Sequence, residues 1–395
     1  MLLKKGFKYR LDPTGGQTSL FAQFAGGSRF LYNHGLERRK MLYEKERKTV
    51  TYFEQNNELV SLKRQESTAW LQDIHSQVLQ QALKNLDNAF QHFFQNVKAG
   101  RKPGFPRFKC KGIRDSFRYP QGVKVEKDKV YLPKIGWVRF RKSRDIIGNI
   151  KQTTILREGQ HWYVSFSTEL EVPDPLPAPI REERAVGIDM GLKSFATMAS
   201  GCNNEPIYIS SPRFLTQHLP RLRVLARRLS KKIKFSKNWL KAKKQLTKLY
   251  ARIRHCREDF AHKLSTKVVK SHDIICVEGL NIVNLLKTGT KSMSRAITDA
   301  SWRFFLKCLE YKAKERGKHF VETGQYFPST QICSSCWSRK NMELSDRHYE
   351  CPNCSLVIER DLNSAIVEKT AGMSVLKACR ATLSRESVEA GISRL

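Results

Sequence analysis

The chain has 395 residues and a formal net charge of +35, because 72 Lys and Arg residues stand against 37 Asp and Glu residues. This length allows about two or three domains, and the 40% hydrophobic content is typical of a globular protein. Positive charges in such a surplus repel one another in a compact fold. The surplus therefore indicates a polyanionic partner and favours nucleic acid over a membrane surface. No apolar run approaches the roughly 20 residues of a membrane span, and no secretory signal is recognisable. We therefore expect a cytosolic or nucleoid location.

The N-terminal part of the chain changes from β to α and back to β patterns. Residues 1–10 alternate like a strand that Pro13 ends, and residues 15–100 have helical periodicity. Apolar residues in the last of these helices recur every three or four positions, which predicts core positions at Leu79, Leu83, Leu86, Phe90, Phe93 and Phe94. A break rich in Gly, Pro and Lys follows at 99–112, and short strands follow at 116–172. This order suggests a small β-barrel that the first strand completes, with the helices inserted.

The second part begins after a proline-rich linker, PDPLPAPIREE. Two apolar runs within 184–200 predict a hairpin around IDMGLKS, and residues 221–257 carry fifteen Lys and Arg residues and no acidic residue. A solvated helical face is one interpretation of the second segment, but ion pairs cannot relieve its repulsion. We therefore predict nucleic-acid contact, with these candidate residues: Arg227, Arg228, Lys231, Lys232, Lys243 and Lys244.

Four of the ten cysteines form two CxxC pairs that are separated by 14 residues: Cys333, Cys336, Cys351 and Cys354. Two such hairpins offer four thiolates to one tetrahedral ion, and the spacing is that of a zinc ribbon. Redox chemistry is the competing interpretation, but it uses one pair of thiols. We predict one structural Zn²⁺ and interpret the other six cysteines as reduced thiols.

Three carboxylates stand at the ends of predicted elements: Asp189, Glu278 and Asp361. Singly, they could be a turn residue, a strand end and a helix N-cap. However, Asp189 and Glu278 interrupt or end apolar strands, where a charge is costly unless it is neutralised. Shared cations would relieve the repulsion, and two Mg²⁺ or Mn²⁺ ions held by three acids are an arrangement for phosphodiester hydrolysis.

These motifs, taken in order, resemble a known family. VGIDMGLKSFA, IICVEGLN and ERDLNSA, with the cysteine pairs just before the last, are similar to the three RuvC motifs of the TnpB proteins, which insertion sequences encode and which are related to compact type V CRISPR effectors. RFLYNHGLERRK, GFPRFK, DFAHKLS and YFPSTQICSSC also resemble that family, so the likeness runs from the first strand to about residue 368. GIDxG alone is common in RNase H-like folds, and the specificity lies in the ordered set.

The resemblance implies a multidomain α+β fold with the following parts. An N-terminal wedge β-barrel (1–12 and 101–175) has an inserted helical recognition bundle (13–100), and a linker (176–183) leads to an RNase H-like RuvC α/β domain (184–326 and 358–372) with an inserted zinc ribbon (327–357). The C-terminal tail (373–395) resembles nothing specific, and its weak pattern predicts a mobile segment. Two residues of the helical region, Tyr52 and Gln80, match candidate contacts to a short DNA motif.

The implied activity is that of an RNA-guided DNA endonuclease of a mobile element, with Asp189, Glu278 and Asp361 as its magnesium-binding catalytic acids. Its partners would be a structured guide RNA derived from the element and duplex target DNA beside the motif, with one protein per RNA and no membrane. Two alternatives stay open. One is an RNA-guided transcriptional regulator that does not cut, and the other is a transposase or an accessory transposition protein.

Overall fold

The computed structural model describes residues 1–112, 115–343 and 345–392, with side chains as far as Cys379. The chain divides into two compact units, Met1–Pro173 and Asp174–Leu395. Within the described ranges, no helix is both long and apolar enough to cross a membrane.

The first unit combines one sheet with a group of helices. Strand β1 (Leu2–Asp12) is followed by α1 (Gly15–Glu46), α2 (Tyr52–Arg64), a 3-10 helix (Glu66–Asp73) and α3 (Ser76–Lys98). Then come β2 (Ser116–Tyr119), β3 (Lys124–Glu126), β4 (Lys129–Leu132), β5 (Gly136–Phe140), β6 (Asn149–Glu158) and β7 (His161–Glu171). Capping boxes at Thr14 and Thr51 begin α1 and α2. The predicted first strand, helical region and later strands are thus confirmed.

The seven strands have the order β2-β6-β7-β1-β5-β4-β3 and pair antiparallel. β1 joins the two halves of the sheet, since its first nine paired residues face β7 and its last two face β5. In the described part of the chain, β2 and β3 form edges and no pairing closes the sheet. Hydrogen bonding therefore yields an open sheet, whereas the sequence predicted a barrel.

Helix α3 is buried along its first half only. Leu79, Leu83 and Leu86 are buried as predicted, but Phe90 and Phe93 are half-buried and Phe94 is 52% exposed. The core prediction is wrong at Phe94, because its ring packs on the neighbouring rings of Phe90 and Phe93 at the end of α3 and leaves about half of the side chain in solvent.

The second unit is built on a five-stranded mixed sheet. Its strands are β8 (Ala185–Asp189), β9 (Ser194–Ser200), β10 (Glu205–Ser210), β11 (Ile274–Val277) and β12 (His319–Glu322), in the order β10-β9-β8-β11-β12. β8, β9 and β10 pair antiparallel, whereas β11 lies parallel to both β8 and β12. A short pair, β13 (His348–Glu350) and β14 (Val357–Glu359), forms a separate sheet.

The helices of this unit cover the sheet. They are α4 (Phe214–Ser230), α5 (Lys237–Ser271), α6 (Ile282–Thr288), α7 (Lys291–Ala300), α8 (Trp302–Lys314) and α9 (Arg360–Ile392). Phe305 and Leu309 of α8 are fully buried with Val186 and Ile188 of β8 in one apolar cluster. The predicted hairpin, the apolar strand before Glu278 and the amphipathic helix are therefore confirmed.

Helix α9 lies very close to β8. A side chain at Gly187 would collide with the backbone carbonyl of Ala365, so glycine is required there. The helix also continues beyond residue 372, where the sequence predicted its end, and residues 373–392 are helical. The prediction is wrong there because Met373 and Leu376 pack against Ala185 and other residues of the sheet. The remainder of the predicted tail, 393–395, lies outside the described residues.

Candidate functional site

Two of the three predicted acids meet at one edge of the five-stranded sheet. Asp189 is the last residue of β8, and Glu278 directly follows β11. The two strands are parallel, and their last paired residues are Ile188 and Val277, the residues just before these acids. Because paired positions of parallel neighbours point to the same side, both carboxylates arise at the same edge.

The third acid reaches this edge from the first turn of α9. A Cβ atom added to Gly191, just after β8, would lie 3.9 Å from Oδ2 of Asp361. The Ser364 hydroxyl of the same helix donates to Oδ1 of Asp189 at 3.3 Å. Arg360 pairs with Asp361 through Nη2 and Oδ1 at 3.2 Å. The close approach of α9 at Gly187 thus brings Asp361 to the Asp189 end of this edge.

Burial and mutual repulsion mark these groups as an electrostatic unit. The pKa of Asp189 lies well above its ordinary value because the carboxyl is fully buried, and the charges of Asp361 and Glu278 raise it further. Burial also raises the pKa of Glu278 to about 7, with the charge of Glu368 as a second cause. Among the described residues, the cysteine cluster is the only group of potential metal ligands whose ligand atoms all lie within 4.8 Å of one another. The carboxylate oxygens of the three predicted acids therefore do not all lie within that distance of one another.

A fourth carboxylate, Glu368, was missed by the sequence reasoning. It is fully buried on α9, and Thr323 donates to its Oε2 at 2.6 Å, whereas its Oε1 has no hydrogen-bond partner in the described part of the chain. Its charge contributes to the raised pKa of both Asp189 and Glu278. The available signal was its position seven residues after Asp361, which places both on one face of a helix.

The four predicted cysteines converge, as expected. Their sulfurs all lie within 4.8 Å of one another, with Cys333 and Cys354 at 3.6 Å and Cys336 and Cys351 at 3.5 Å. Hydrogen bonding to Ser338 lowers the pKa of Cys336 to about 5 and also lowers the pKa of Cys351. Burial raises the pKa of Cys333 to about 11. Four cysteine sulfurs at these separations fit a tetrahedral zinc ion.

One buried side chain connects the cysteine cluster to α9. Asn363 accepts a hydrogen bond from the Ser334 backbone N–H at 2.9 Å and donates to the Ile332 carbonyl at 2.7 Å. Ser334 lies inside the first CxxC turn, and Asn363 stands two residues after Asp361. The cluster is therefore fixed to the helical turn that carries the third acid, and the sequence reasoning did not single out this residue.

The predicted basic contacts lie on or between α4 and α5. Arg227, Arg228, Lys231, Lys232 and Lys244 are exposed, and Lys243 is half-buried with its ammonium 4.9 Å from the Trp239 ring centroid. Five of the six cations are thus accessible to a polyanion.

The two candidate contacts to a DNA motif have different surroundings in the first unit. Tyr52 is half-buried and packs against the core, and Gln80 is half-buried on α3. A polar pocket beside α3 is lined by Gln81 and Asn85, and not by Gln80. Lys109 and Arg118 add positive charge to the pocket wall. The sequence did not identify these lining residues, since periodicity alone does not show which face of α3 borders a cavity.

Family models match three parts of the chain. A model described as "Probable transposase" matches residues 165–289, one described as "Cas12f1-like, TNB domain" matches 302–367, and one described as "Helix-turn-helix domain" matches 1–48. The last segment forms β1 and α1 here.

The architecture is similar to that of a solved compact effector. The chain in the "Cryo-EM structure of the Cas12f1-sgRNA-target DNA complex" aligns with a TM-score of 0.57 and 12% identity, over 93% of this chain and 99% of that one. The fold is thus the mixed α/β fold of a compact Cas12-type protein.

Relatives that align over nearly their whole length indicate the family of the chain. "Putative RNA-guided DNA endonuclease InsQ" of Escherichia coli (strain K12) is 35% identical over 95% of this chain and 94% of its own length. A "Putative RNA-guided DNA endonuclease" of Streptomyces pristinaespiralis is 33% identical over 95% and 91%. The chain belongs to the TnpB family.

Proposed function

We propose that this protein is an RNA-guided DNA endonuclease whose second unit is an RNase H-like RuvC domain with an inserted zinc ribbon. One observation carries the proposal: Asp189 and Glu278 follow paired residues of adjacent strands, and Asp361 approaches Asp189 from a helix packed on the same sheet. Nearly full-length similarity to proteins named as RNA-guided endonucleases supports the same activity.

Asp189, Glu278 and Asp361 are the residues that would hold divalent cations. Their donor set fits, since buried carboxylates that repel one another favour a hard cation with oxygen ligands. Two Mg²⁺ or Mn²⁺ ions, when bound, supply charge stabilisation and water activation for phosphodiester hydrolysis. The protein's part is orientation, because Ser364 hydrogen-bonds Asp189 and Arg360 pairs with Asp361. Buried Glu368 adds negative charge behind the site, which strengthens the attraction for cations.

The cysteine cluster has a structural part in this proposal. Zn²⁺ held by the four thiolates would stiffen the segment just before α9, and Asn363 would transmit this rigidity to the turn that carries Asp361. The catalytic acid of the last helix is thereby placed by a chain of contacts and does not depend on the helix alone.

Charge and shape indicate which residues would bind the guide RNA and which would bind the target DNA. The acid-free segment 221–257 would hold a structured guide RNA that the mobile element encodes, with one protein per RNA. Tyr52 and Gln80, together with the pocket residues Gln81 and Asn85, would read a short motif in duplex target DNA. Sequence specificity would then come from pairing between the guide and the target strand.

The test begins with the full chain purified from its host together with its RNA. Sequencing should identify one discrete RNA that is encoded beside the gene, and plasmid DNA that matches this RNA should be cut when Mg²⁺ is present. Asp189→Ala should abolish cutting and leave DNA affinity within about twofold, because the carboxylate holds cations and not bases. Asp259→Ala is the matched control, since Asp259 is an exposed acid of α5 that should not affect cutting.

Other outcomes select the alternatives. Specific RNA and DNA binding without any cutting by the unchanged protein would replace the nuclease with an RNA-guided regulator. Joined DNA ends in a strand-transfer assay would indicate a transposase instead. A mixture of random RNA fragments would leave only a general affinity for polyanions.

A further inference from the structure

An exposed group of phenylalanines, which we call the aromatic platform, lies at the end of α3 and on the segment after it. Four members are in ring contact with one another, Phe90, Phe93, Phe94 and Phe105, and the fifth, Phe108, follows three residues after Phe105. Phe105 packs edge to face on Phe90 at 5.6 Å and on Phe93 at 5.4 Å between ring centroids. Phe94, Phe105 and Phe108 are about half exposed, at 52%, 47% and 49%. The group therefore presents ring surface to solvent, while Phe90 also packs against a small buried cluster.

Positive charge surrounds the platform. Residues 99–112 contain five Lys and Arg residues and no acid, and the exposed ones include Arg101, Lys102 and Arg107. Lys40 lies 5.8 Å from the Phe108 ring centroid, and Arg39 lies 5.1 Å from that of Phe90. The acid one turn before Phe90, Asp87, is paired with Arg39 at 3.0 Å. Aromatic rings interleaved with a surplus of cations are thus the local pattern.

This pattern selects one class of partner. The buried centre of a protein–protein interface is depleted of lysine, whereas single-stranded nucleic acid needs ring faces for its bases and cations for its phosphates. Duplex DNA offers no free base face, so the ligand must contain unpaired nucleotides. On the proposed function, RNA is bound before any DNA is opened, so RNA is the single-stranded polymer available to the resting complex.

We propose that the aromatic platform binds unpaired nucleotides of the guide RNA, with bases stacked on Phe105 and Phe108 and phosphates held by Arg101, Lys102 and Arg107. Its residues belong to the first unit, whereas the carboxylate edge belongs to the second. The inference rests on the proposed function, because it assumes that the protein carries an RNA.

Crosslinking at 254 nm identifies the occupant directly. The full-length protein with its co-purified RNA is irradiated before and after addition of target DNA, and nucleotide adducts are mapped by mass spectrometry. We expect RNA adducts on the peptide that contains Phe105 and Phe108 in the complex without DNA. Adducts at this peptide only after DNA is added would mean that a displaced DNA strand is the occupant, and the assignment to RNA would be wrong.

Substitutions then measure the contribution of stacking. Phe105→Leu and Phe108→Leu keep apolar volume but remove the ring, so each should weaken binding of the element's RNA about tenfold. Phe105→Trp keeps an aromatic ring, so it should bind the RNA about as tightly as the unchanged protein. A merely structural role of Phe105 would not predict this result. Phe53→Leu is the matched control, because Phe53 is a 75% exposed ring on α2 outside the platform and its loss should change affinity less than twofold.

The outcomes separate the two proposals. If the unchanged protein carries no discrete RNA, the proposed function fails. If it carries one and the Leu variants, melting at the temperature of the unchanged protein, bind it equally well, the aromatic platform is not an RNA site and the nuclease proposal is untouched.

Discussion

Replacing Asn363 by Ala tests whether the cysteine cluster positions α9. The change removes two hydrogen bonds, at 2.9 and 2.7 Å, and leaves the backbone N–H of Ser334 and the carbonyl of Ile332 without these partners. Asn363 is fully buried, so water cannot easily replace it. Leaving one buried polar group unsatisfied costs about 1–3 kcal/mol, so the two groups together should cost about 2–6 kcal/mol of stability.

The assay is thermal unfolding of the full chain, combined with the rate at which a chelator removes zinc. We expect a lower melting temperature and faster zinc loss for Asn363→Ala, with Asn363→Asp intermediate because it keeps the acceptor for Ser334. Asn341→Ala is the control, since Asn341 is exposed in the same cysteine-rich segment and should change stability by less than about 0.5 kcal/mol. If Asn363→Ala melts and releases zinc like the control, the cluster does not hold the helix through this side chain.

Three further changes test the fold, the metal and the charge. Gly187→Ala should destabilise the protein by about 1–3 kcal/mol in denaturant unfolding because its Cβ would collide with α9, whereas Gly324→Ala, with nothing within 4 Å, should be neutral. Cys333→Ser should reduce bound zinc, measured by elemental analysis, to well below one ion per chain, and Cys202→Ser, an exposed cysteine outside the cluster, should not. Burial lowers the pKa of Lys109 to about 8, so the folded protein holds this proton less tightly than the unfolded chain does. The free energy of unfolding should therefore rise as the pH increases from about 8 to 10.5. Lys109→Met should remove that part of the pH dependence of the melting temperature, and an unchanged dependence would contradict the reasoning.

Strong periodic signals made most secondary structure predictable. The hairpin whose first strand ends at Asp189, the apolar strand before Glu278 and the paired CxxC spacing each specify their local structure without knowledge of the rest of the chain. The register that pairs Ile188 with Val277, and so puts Asp189 and Glu278 at the same edge, follows once both strands lie in one parallel pair. Local pattern therefore carried the prediction wherever the structure depends on neighbours in sequence.

The misses share a different physical cause. Periodicity shows which residues occupy one helix face but not how far the opposing surface extends, so Phe94 was predicted to be core although the cover ends before it. Glu368 and Asn363 owe their surroundings to Thr323 and to the first CxxC turn, which lie tens of residues away in the chain. The helix end near 372 was misjudged because Met373 finds its partners on the sheet and not within the helix.

The packing of α9 against β8 has a consequence for synthesis of the protein. β8 leaves the ribosome soon after the first unit, whereas the helix that covers it is made last. Until then, the fully buried residues of β8 lack their cover and the acidic edge lacks Asp361. A prematurely terminated polypeptide would thus retain the whole first unit but expose the apolar residues of this central strand. Such a fragment is prone to aggregation and proteolysis, and its carboxylate site is incomplete.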